Sequence, residues 1–232
     1  MIPRAFVYGD LLFESILVQN GVPRHFELHL ERLVQGATKL GFADLPNSQI
    51  LYKQLMEMLN GKQHARVRLT VFRNSVGFYL PTKNECLVDF EVFDVVAKPD
   101  TIKRVGIYLE NHKPCNSLSN LKSGNALIYV VAAKYANDLG WDDALIVNEY
   151  GNICEATASN IFIQINGEYL TPPLSEGCVE GIMRKVFIQE LKAAHKLVVE
   201  KPISKELLKS AECIWLTNAI YGIRKVEKLL LT

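Results

Sequence analysis

The apolar positions of the first hundred residues fall into two periods. Leu11–Val18 is an apolar-rich stretch that reads as a strand. Leu30, Leu33, Ala37 and Leu40 then recur at helical spacing, which predicts a helix over about Glu27–Leu40. A second helix is predicted over about Ser48–Leu59, closed by Asn60-Gly61, a C-terminal stop signal. The period changes again in Ala65–Phe72, where Val67, Leu69 and Val71 alternate with polar or less buried types. Val88–Val96 and Val105–Leu109 are strand-like in the same way. Adjacent strands beside two helices make this half α+β.

A stretch rich in Asn, Pro, Ser and Lys, about Asn111–Ser123, interrupts the pattern and reads as a domain boundary. Beyond it, Ala126–Leu139 is a helix closed by Gly140. Ala144–Val147 and Ile153–Ala156 flank a turn at Glu149–Asn152. Asn160–Ile165 and Glu168–Thr171 flank Asn166-Gly167, whose residues both tolerate positive φ and so favour a tight hairpin. Pro172-Pro173 ends that strand. Gly181 opens a helix to about Ala194, Leu207 lies in a short helix, and Cys213–Thr217 is a short buried strand. Hairpins in place of regular βαβ units argue against a doubly wound nucleotide fold. The expected class is α/β (α+β) in two domains. Residues 1–112 form a small N-terminal α+β domain, 113–123 an interdomain loop, and 124–232 a larger C-terminal domain of mixed strands and helices.

Composition narrows the function classes. The 232 residues are 49% hydrophobic and 22% charged, with 26 basic against 25 acidic side chains and a net charge of +1. These values describe an ordinary folded chain without a strong field, so neither nucleic acid nor a membrane is expected as a partner. No apolar run reaches the roughly 18–20 residues that span a bilayer. The N-terminal MIPRAFVYGD turns polar too soon for a signal peptide. Cys86, Cys115, Cys154, Cys178 and Cys213 are odd in number and widely spread, the usage of free thiols in a reducing compartment. A cytoplasmic location is expected.

The common phosphate signatures GxxxxGK[ST] and GxGxxG are missing. His25 and His29 stand four apart at a helix start, but without the glutamate order of HExxH or an evident third ligand. His112 and Cys115 form only half a ligand set, so no metal site is expected. Ser119-Asn120-Leu121-Lys122 matches SxxK, the nucleophile and base of a serine hydrolase, yet its SDN and KTG companions are missing.

Six further segments occur in a fixed order: Tyr8-Gly9-Asp10-Leu11-Leu12-Phe13-Glu14, His29-Leu30-Glu31-Arg32-Leu33, Leu121-Lys122-Ser123-Gly124-Asn125, Glu155-Ala156-Thr157-Ala158-Ser159-Asn160-Ile161-Phe162, Thr171-Pro172-Pro173-Leu174 with Gly181-Ile182-Met183-Arg184, and Thr217-Asn218-Ala219. Together they span nearly the whole chain. They resemble the class IV aminotransferase family, the pyridoxal-phosphate enzymes of fold type IV. The resemblance implies pyridoxal 5'-phosphate bound between the two domains, with Lys122 as the catalytic residue carrying the cofactor aldehyde. It implies Glu155 as the acidic partner of the ring nitrogen. Arg32, Gly181, Ile182, Asn218 and Ala219 are the implied phosphate contacts, in keeping with anion binding at a helix N-terminus. It also implies a homodimer acting on a small amino-bearing carboxylate.

Details of the segments lean toward one branch. Gly181-Ile182-Met183-Arg184 and Asn218-Ala219 look like aminodeoxychorismate lyases, whereas aminotransferases carry Thr where Met183 stands. Branched-chain aminotransferases carry Tyr five residues after the lysine, at Leu127 here. The D-amino-acid enzymes have a second arginine beyond the position of Arg73, and Asn74–Tyr79 offers none. Glu14-Ser15 is closer to aminotransferases, and most of the strand pair that precedes this segment in the family is missing. The leading expectation is the lyase that forms 4-aminobenzoate and pyruvate in folate biosynthesis. A class IV aminotransferase acting on branched-chain or D-amino acids is the alternative, and an SxxK serine hydrolase or a non-catalytic binding protein a more distant one. Arg73, at the end of the Ala65–Phe72 strand, is expected to meet a substrate carboxylate.

Overall fold

The computed structural model describes residues 3–230. The chain forms two compact units, one holding residues up to Ala97 together with Leu121–Asn125, the other Lys98–Asn120 together with the residues from Ala126 onward.

The first unit contains α1 (Arg4–Tyr8), β1 (Leu11–Gln19), β2 (Val22–Pro23), α2 (Phe26–Lys39), α3 (Ser48–Leu59), β3 (His64–Arg73) and β4 (Cys86–Phe93). Its four strands run in the order β2-β1-β3-β4. β1 and β3 pair antiparallel from Leu11 opposite Phe72 to Gln19 opposite His64. That register puts Leu12, Ile16 and Val18 on one face with Val71, Val67 and Ala65. The period-2 pattern in the sequence is this face, since alternate side chains of a strand point the same way. Phe26, Leu30, Leu33 and Ala37 of α2 and Leu51, Leu55 and Leu59 of α3 close the core over it. The Asn47 side chain caps α3 by accepting from the Ile50 N–H at 3.0 Å.

The second unit contains β5 (Thr101–Lys113), α4 (Leu127–Asp138), β6 (Asp143–Asn148), β7 (Ile153–Ala156), β8 (Asn160–Ile165) and β9 (Glu168–Thr171). A 3₁₀ turn at Leu174–Glu176 follows, then α5 (Ile182–Ala193), β10 (Val198–Glu200), α6 (Lys205–Lys209), β11 (Cys213–Asn218) and β12 (Gly222–Leu230). Eight strands run in the order β10-β9-β8-β11-β12-β5-β6-β7. The β8–β9 hairpin turns at Asn166 and Gly167, both with positive φ, 51° and 80°. Ala132 and Ala136 of α4 pack with Tyr108, Ala144 and Ile146, while Ile188 and Leu191 of α5 pack with Phe162.

The observed division differs from the sequence expectation at residues 98–125. The strand expected within 1–112 is β5, which is longer than Val105–Leu109 and lies in the eight-stranded sheet, parallel to both β12 and β6. Val105–Tyr108 are all buried because the strand is flanked on both sides, so its apolar run carried no mark of the unit it joins. The boundary falls after Ala97, and the stretch expected as a linker, 113–123, is divided between the units. β12 was not foreseen, because Arg224, Lys225, Glu227 and Lys228 mask its strand character. Among the described residues no helix is long and apolar enough to cross a membrane.

Gly106 lies in the interior of this sheet, opposite Ala144 of β6 and Leu230 of β12. A Cβ there would meet the six-membered ring of Trp141 at 2.1 Å, and a rigid indole gives way only by moving whole. Gly106→Ala is therefore expected to lower unfolding stability by about 1–3 kcal/mol, the usual cost of overpacking. The loss should shrink in a Trp141→Leu background, and equal losses in the two backgrounds, measured by denaturant unfolding, would show that the indole is not the obstacle.

Candidate active site

Lys122 belongs to the first unit and is held there by backbone pairing. The Phe13 N–H donates to the Lys122 carbonyl at 3.0 Å, and the Gly124 N–H donates to the Leu11 carbonyl at 3.1 Å. Leu12 and Ser123 form an antiparallel bridge between them. Residues 122–124 thus lie along the start of β1, which fixes the lysine's backbone. Its ammonium stands 4.3 Å from the centre of the Phe13 ring, and the side chain is half-buried. An aromatic face attracts a cation while excluding water on one side.

The same strand places Glu14 on its buried face, fully enclosed. The carboxylate receives the Arg32 guanidinium on both oxygens, with Nε donating to Oε1 at 2.8 Å and Nη2 donating to Oε2, while His29 Nδ1 lies 2.7 Å from Oε2. Burial alone would raise the Glu14 carboxyl, but the Arg32 charge and the bonds from His29 and Arg32 outweigh it and lower it to about 2. Arg32 is consequently oriented by a two-point grip rather than left to swing. This also gives His29 a place in a charge cluster.

Arg73 is engaged within the first unit. It is only 6% exposed, and its Nε donates to Asp10 Oδ2 at 2.9 Å. Its terminal nitrogens donate to the Gly41 carbonyl, the Leu40 carbonyl and Asn84 Oδ1, and it lies over the Phe42 ring at 4.7 Å. Arg4 Nε donates to the same Asp10 oxygen at 3.1 Å. The guanidinium ties together four segments of the first unit through donors directed at protein acceptors. The Ser119 hydroxyl is likewise engaged in a turn, donating to the Pro114 carbonyl at 2.7 Å and accepting from the Asn116 N–H at 3.0 Å.

In the second unit Glu155 and Asn160 are linked by hydrogen bonds through Val179, and Asn218 and Gly181 lie close to Asn160. Glu155 ends β7 at 3% exposure. Its Oε1 receives the Lys113 ammonium and the Tyr129 hydroxyl, the latter at 2.8 Å, and its Oε2 receives the Val179 N–H at 3.0 Å. The Val179 carbonyl in turn accepts from Asn160 Nδ2 at 2.8 Å. Asn160 starts β8 opposite Thr217 of β11, and Asn218 Nδ2 donates to Ser159 Oγ at 3.0 Å. Asn218 Oδ1 accepts from the Ile220 and Tyr221 N–H groups, so this side chain shapes the turn that carries Ala219. Gly181 is the N-cap of α5 and has no side-chain cap. A Cβ on Gly181 would meet Asn160 Oδ1 at 1.8 Å, so only glycine lets that amide lie against the start of the helix. Lys113 and Tyr129 escaped the sequence reading, since neither stands within the six segments.

The family description "Amino-transferase class IV" matches residues 11–229. The chain belongs to the class IV aminotransferase family. A protein of Aquifex aeolicus named "Probable branched-chain-amino-acid aminotransferase" is 36% identical over 249 residues, covering 97% of this chain and 77% of that protein. A Methanocaldococcus jannaschii protein named "Putative branched-chain-amino-acid aminotransferase" is 31% identical, covering 96% of this chain and 80% of that one. A crystal structure titled "Putative 4-amino-4-deoxychorismate lyase" from Legionella pneumophila is 27% identical with a TM-score of 0.89, covering 97% of this chain and 85% of that one.

Class IV aminotransferases depend on pyridoxal phosphate, and the residues present fit it. The first turn of α5 is uncapped by any side chain, which leaves amide dipoles for an anion. In the adjoining β11 the Thr217 hydroxyl is buried without a hydrogen-bond partner, an arrangement that proteins rarely leave unanswered. Glu155 has three donors on two oxygens, so its acceptor capacity is not exhausted.

Two measurements follow from the charge clusters. A Glu14 carboxyl lowered to about 2 from 4.5 stabilises the fold fully above pH about 4.5, and that stability is lost as the pH falls toward 2. About 3 kcal/mol should disappear over that window, and Glu14→Gln should flatten the slope in acid-range unfolding. Arg73→Ala should cost about 3 kcal/mol of stability, because it leaves Asp10 and several carbonyls short of a partner. Its KM for substrate should stay within twofold of the parent, and a large KM increase without loss of stability would restore the carboxylate role.

Proposed function

We propose that this class IV aminotransferase is a lyase that converts 4-amino-4-deoxychorismate to 4-aminobenzoate and pyruvate. The observation that carries the reading is the pair Leu127 and Met183. They stand where the aminotransferase pattern has Tyr and Thr, so two hydroxyls expected near cofactor and phosphate are replaced by apolar side chains. Leu127 begins α4 at 73% exposure, and Met183 lies in the first turn of α5.

Bound pyridoxal phosphate supplies an aldehyde for the substrate amine and an electron-accepting ring. Glu155 would support that ring at its nitrogen. Arg32, the Gly181-Ile182 turn and the Asn218-Ala219 turn would hold the phosphate. Lys122, the residue that would hold the aldehyde, would serve as the base that takes the proton from the ring carbon bearing nitrogen. The C–O bond to the enolpyruvyl group breaks as the carbocycle becomes aromatic. Lys122 then returns its proton to the methylene carbon of the departing group, which leaves as pyruvate. No proton is gained or lost overall, and no second substrate is required.

An aminotransferase of branched-chain or D-amino acids is the second reading, its branched-chain form favoured by the 31% and 36% identical relatives. It would use the same lysine but needs a 2-oxo acid acceptor. The purified holoenzyme should therefore release pyruvate and 4-aminobenzoate one to one from aminodeoxychorismate alone. Lys122→Ala should reduce this at least about 10³-fold, and borohydride should fix the cofactor on Lys122. Turnover of a branched-chain or D-amino acid only with an added 2-oxo acid, and none of aminodeoxychorismate, would decide for the aminotransferase.

A further inference from the structure

Lys113 is an unusual place for an ammonium. It ends β5, is 5% exposed, and has no part in the six segments that mark the family. Its Nζ is directed at Glu155 Oε1 and lies 5.2 Å from the centre of the Tyr129 ring. Burying an ammonium is costly unless a specific anion offsets it, so the position asks for a purpose beyond packing.

The groups around Glu155 come from four elements. Lys113 arrives from β5 and Tyr129 from α4. Cys154 precedes Glu155 in β7, and Cys178 lies in the segment before α5. Burial, and after it Glu155 itself, pushes the Tyr129 hydroxyl far above its ordinary range and the Cys178 thiol up to about 12. Cys154 is raised in the same way, and its thiol faces the Ile146 carbonyl. These three are neutral donors or spectators. Lys113 brings the charge.

We infer that Lys113 is a positioning residue for the cofactor ring: its ammonium occupies one oxygen of Glu155 and supplies the counter-charge, so that the proton shared between Glu155 and the ring nitrogen stays on the ring. The inference rests on the reading of Glu155 as the ring-nitrogen partner. The geometry divides the labour. Oε1 takes the cation and the phenol, while Oε2 takes the Val179 N–H and retains a lone pair. A carboxylate enclosed among apolar neighbours and stripped of its cation would favour its neutral acid form. The acid would then donate to an unprotonated ring nitrogen, and the electron sink would weaken. Lys113 acts through Glu155 and touches neither substrate nor reacting atoms.

The test is the ¹⁵N resonance of holoenzyme reconstituted with ring-¹⁵N pyridoxal phosphate, which separates protonated from unprotonated ring nitrogen. The parent is expected in the protonated range. Lys113→Met should move the resonance to the unprotonated range, and Lys113→Arg, which keeps the charge, should restore it. Lys113→Gln keeps a donor but removes the charge and guards against a methionine variant that does not fold. It too should shift. If Lys113→Gln keeps the parent resonance, the charge is not what matters and the inference fails. If Glu155→Gln loses the protonated signal while the neutral Lys113 variants keep it, the inference fails but the reading of Glu155 stands. If Glu155→Gln itself keeps the parent resonance, Glu155 is not the ring partner and both fall together.

Discussion

Buried and half-buried carboxylates that require counter-charges organise both units of this protein. Asp10 is shared by Arg4 and Arg73, Glu14 is gripped by Arg32 and approached by His29, and Glu155 is met by Lys113. An uncompensated charge in a protein interior is so costly that each acid dictates where a cation must lie. Apart from Arg4, those cations come from residues 15 or more positions away in sequence, so each such pair fixes the relative placement of separate elements. Arg4 shows how far one group reaches. While paired to Asp10 it also donates to the Gly77 and Tyr79 carbonyls, at 2.8 and 3.0 Å, tying a loop that exposes Phe78, Tyr79 and Leu80.

β1 turns this constraint into function within the first unit. Alternation along one strand sends Glu14 inward to orient Arg32 and leaves Phe13 on the other side, beneath the Lys122 ammonium. The backbone of the same strand also receives residues 122–124, which come from a part of the chain more than a hundred residues later. On the proposed reading Lys122 would bind and release a carbonyl group, which needs a fixed backbone and a movable side chain. Strand pairing provides the first, and the ammonium lies against the Phe13 ring.

The sequence made legible what is local and periodic, together with residues set in fixed motif segments. The α2 and α3 cores, the Asn166-Gly167 turn and the start of α5 all follow from spacing or turn chemistry. What it hid was partnership. Arg73 stands at a strand end, where a guanidinium is normally exposed, and nothing in its neighbours reveals that Leu40, Gly41 and Asn84 will converge on it. Lys113 was one lysine among 26 basic residues, and only the fold of β5 beside β6, with α4 packed on the same two strands, brings it to Glu155. The side on which β5 pairs was equally hidden, because a strand flanked on both sides is apolar whichever sheet accepts it.

The two readings of the reaction differ in how many hydroxyls surround the cofactor, and that difference has a physical meaning. A transamination must stabilise charge at two carbons in succession and then run in reverse with a second substrate, so extra donors around the ring and phosphate help both halves. A lyase whose product becomes aromatic draws much of its driving force from the substrate itself. It can dispense with donors provided the lysine still moves one proton and the ring remains an electron sink. On the proposed reading, a site with Leu127 and Met183 in place of Tyr and Thr, and with an ammonium buried beside Glu155, would concentrate its polar groups at the ring nitrogen and the phosphate. That distribution would suit a reaction in which the protein governs where one proton goes and the substrate does the rest.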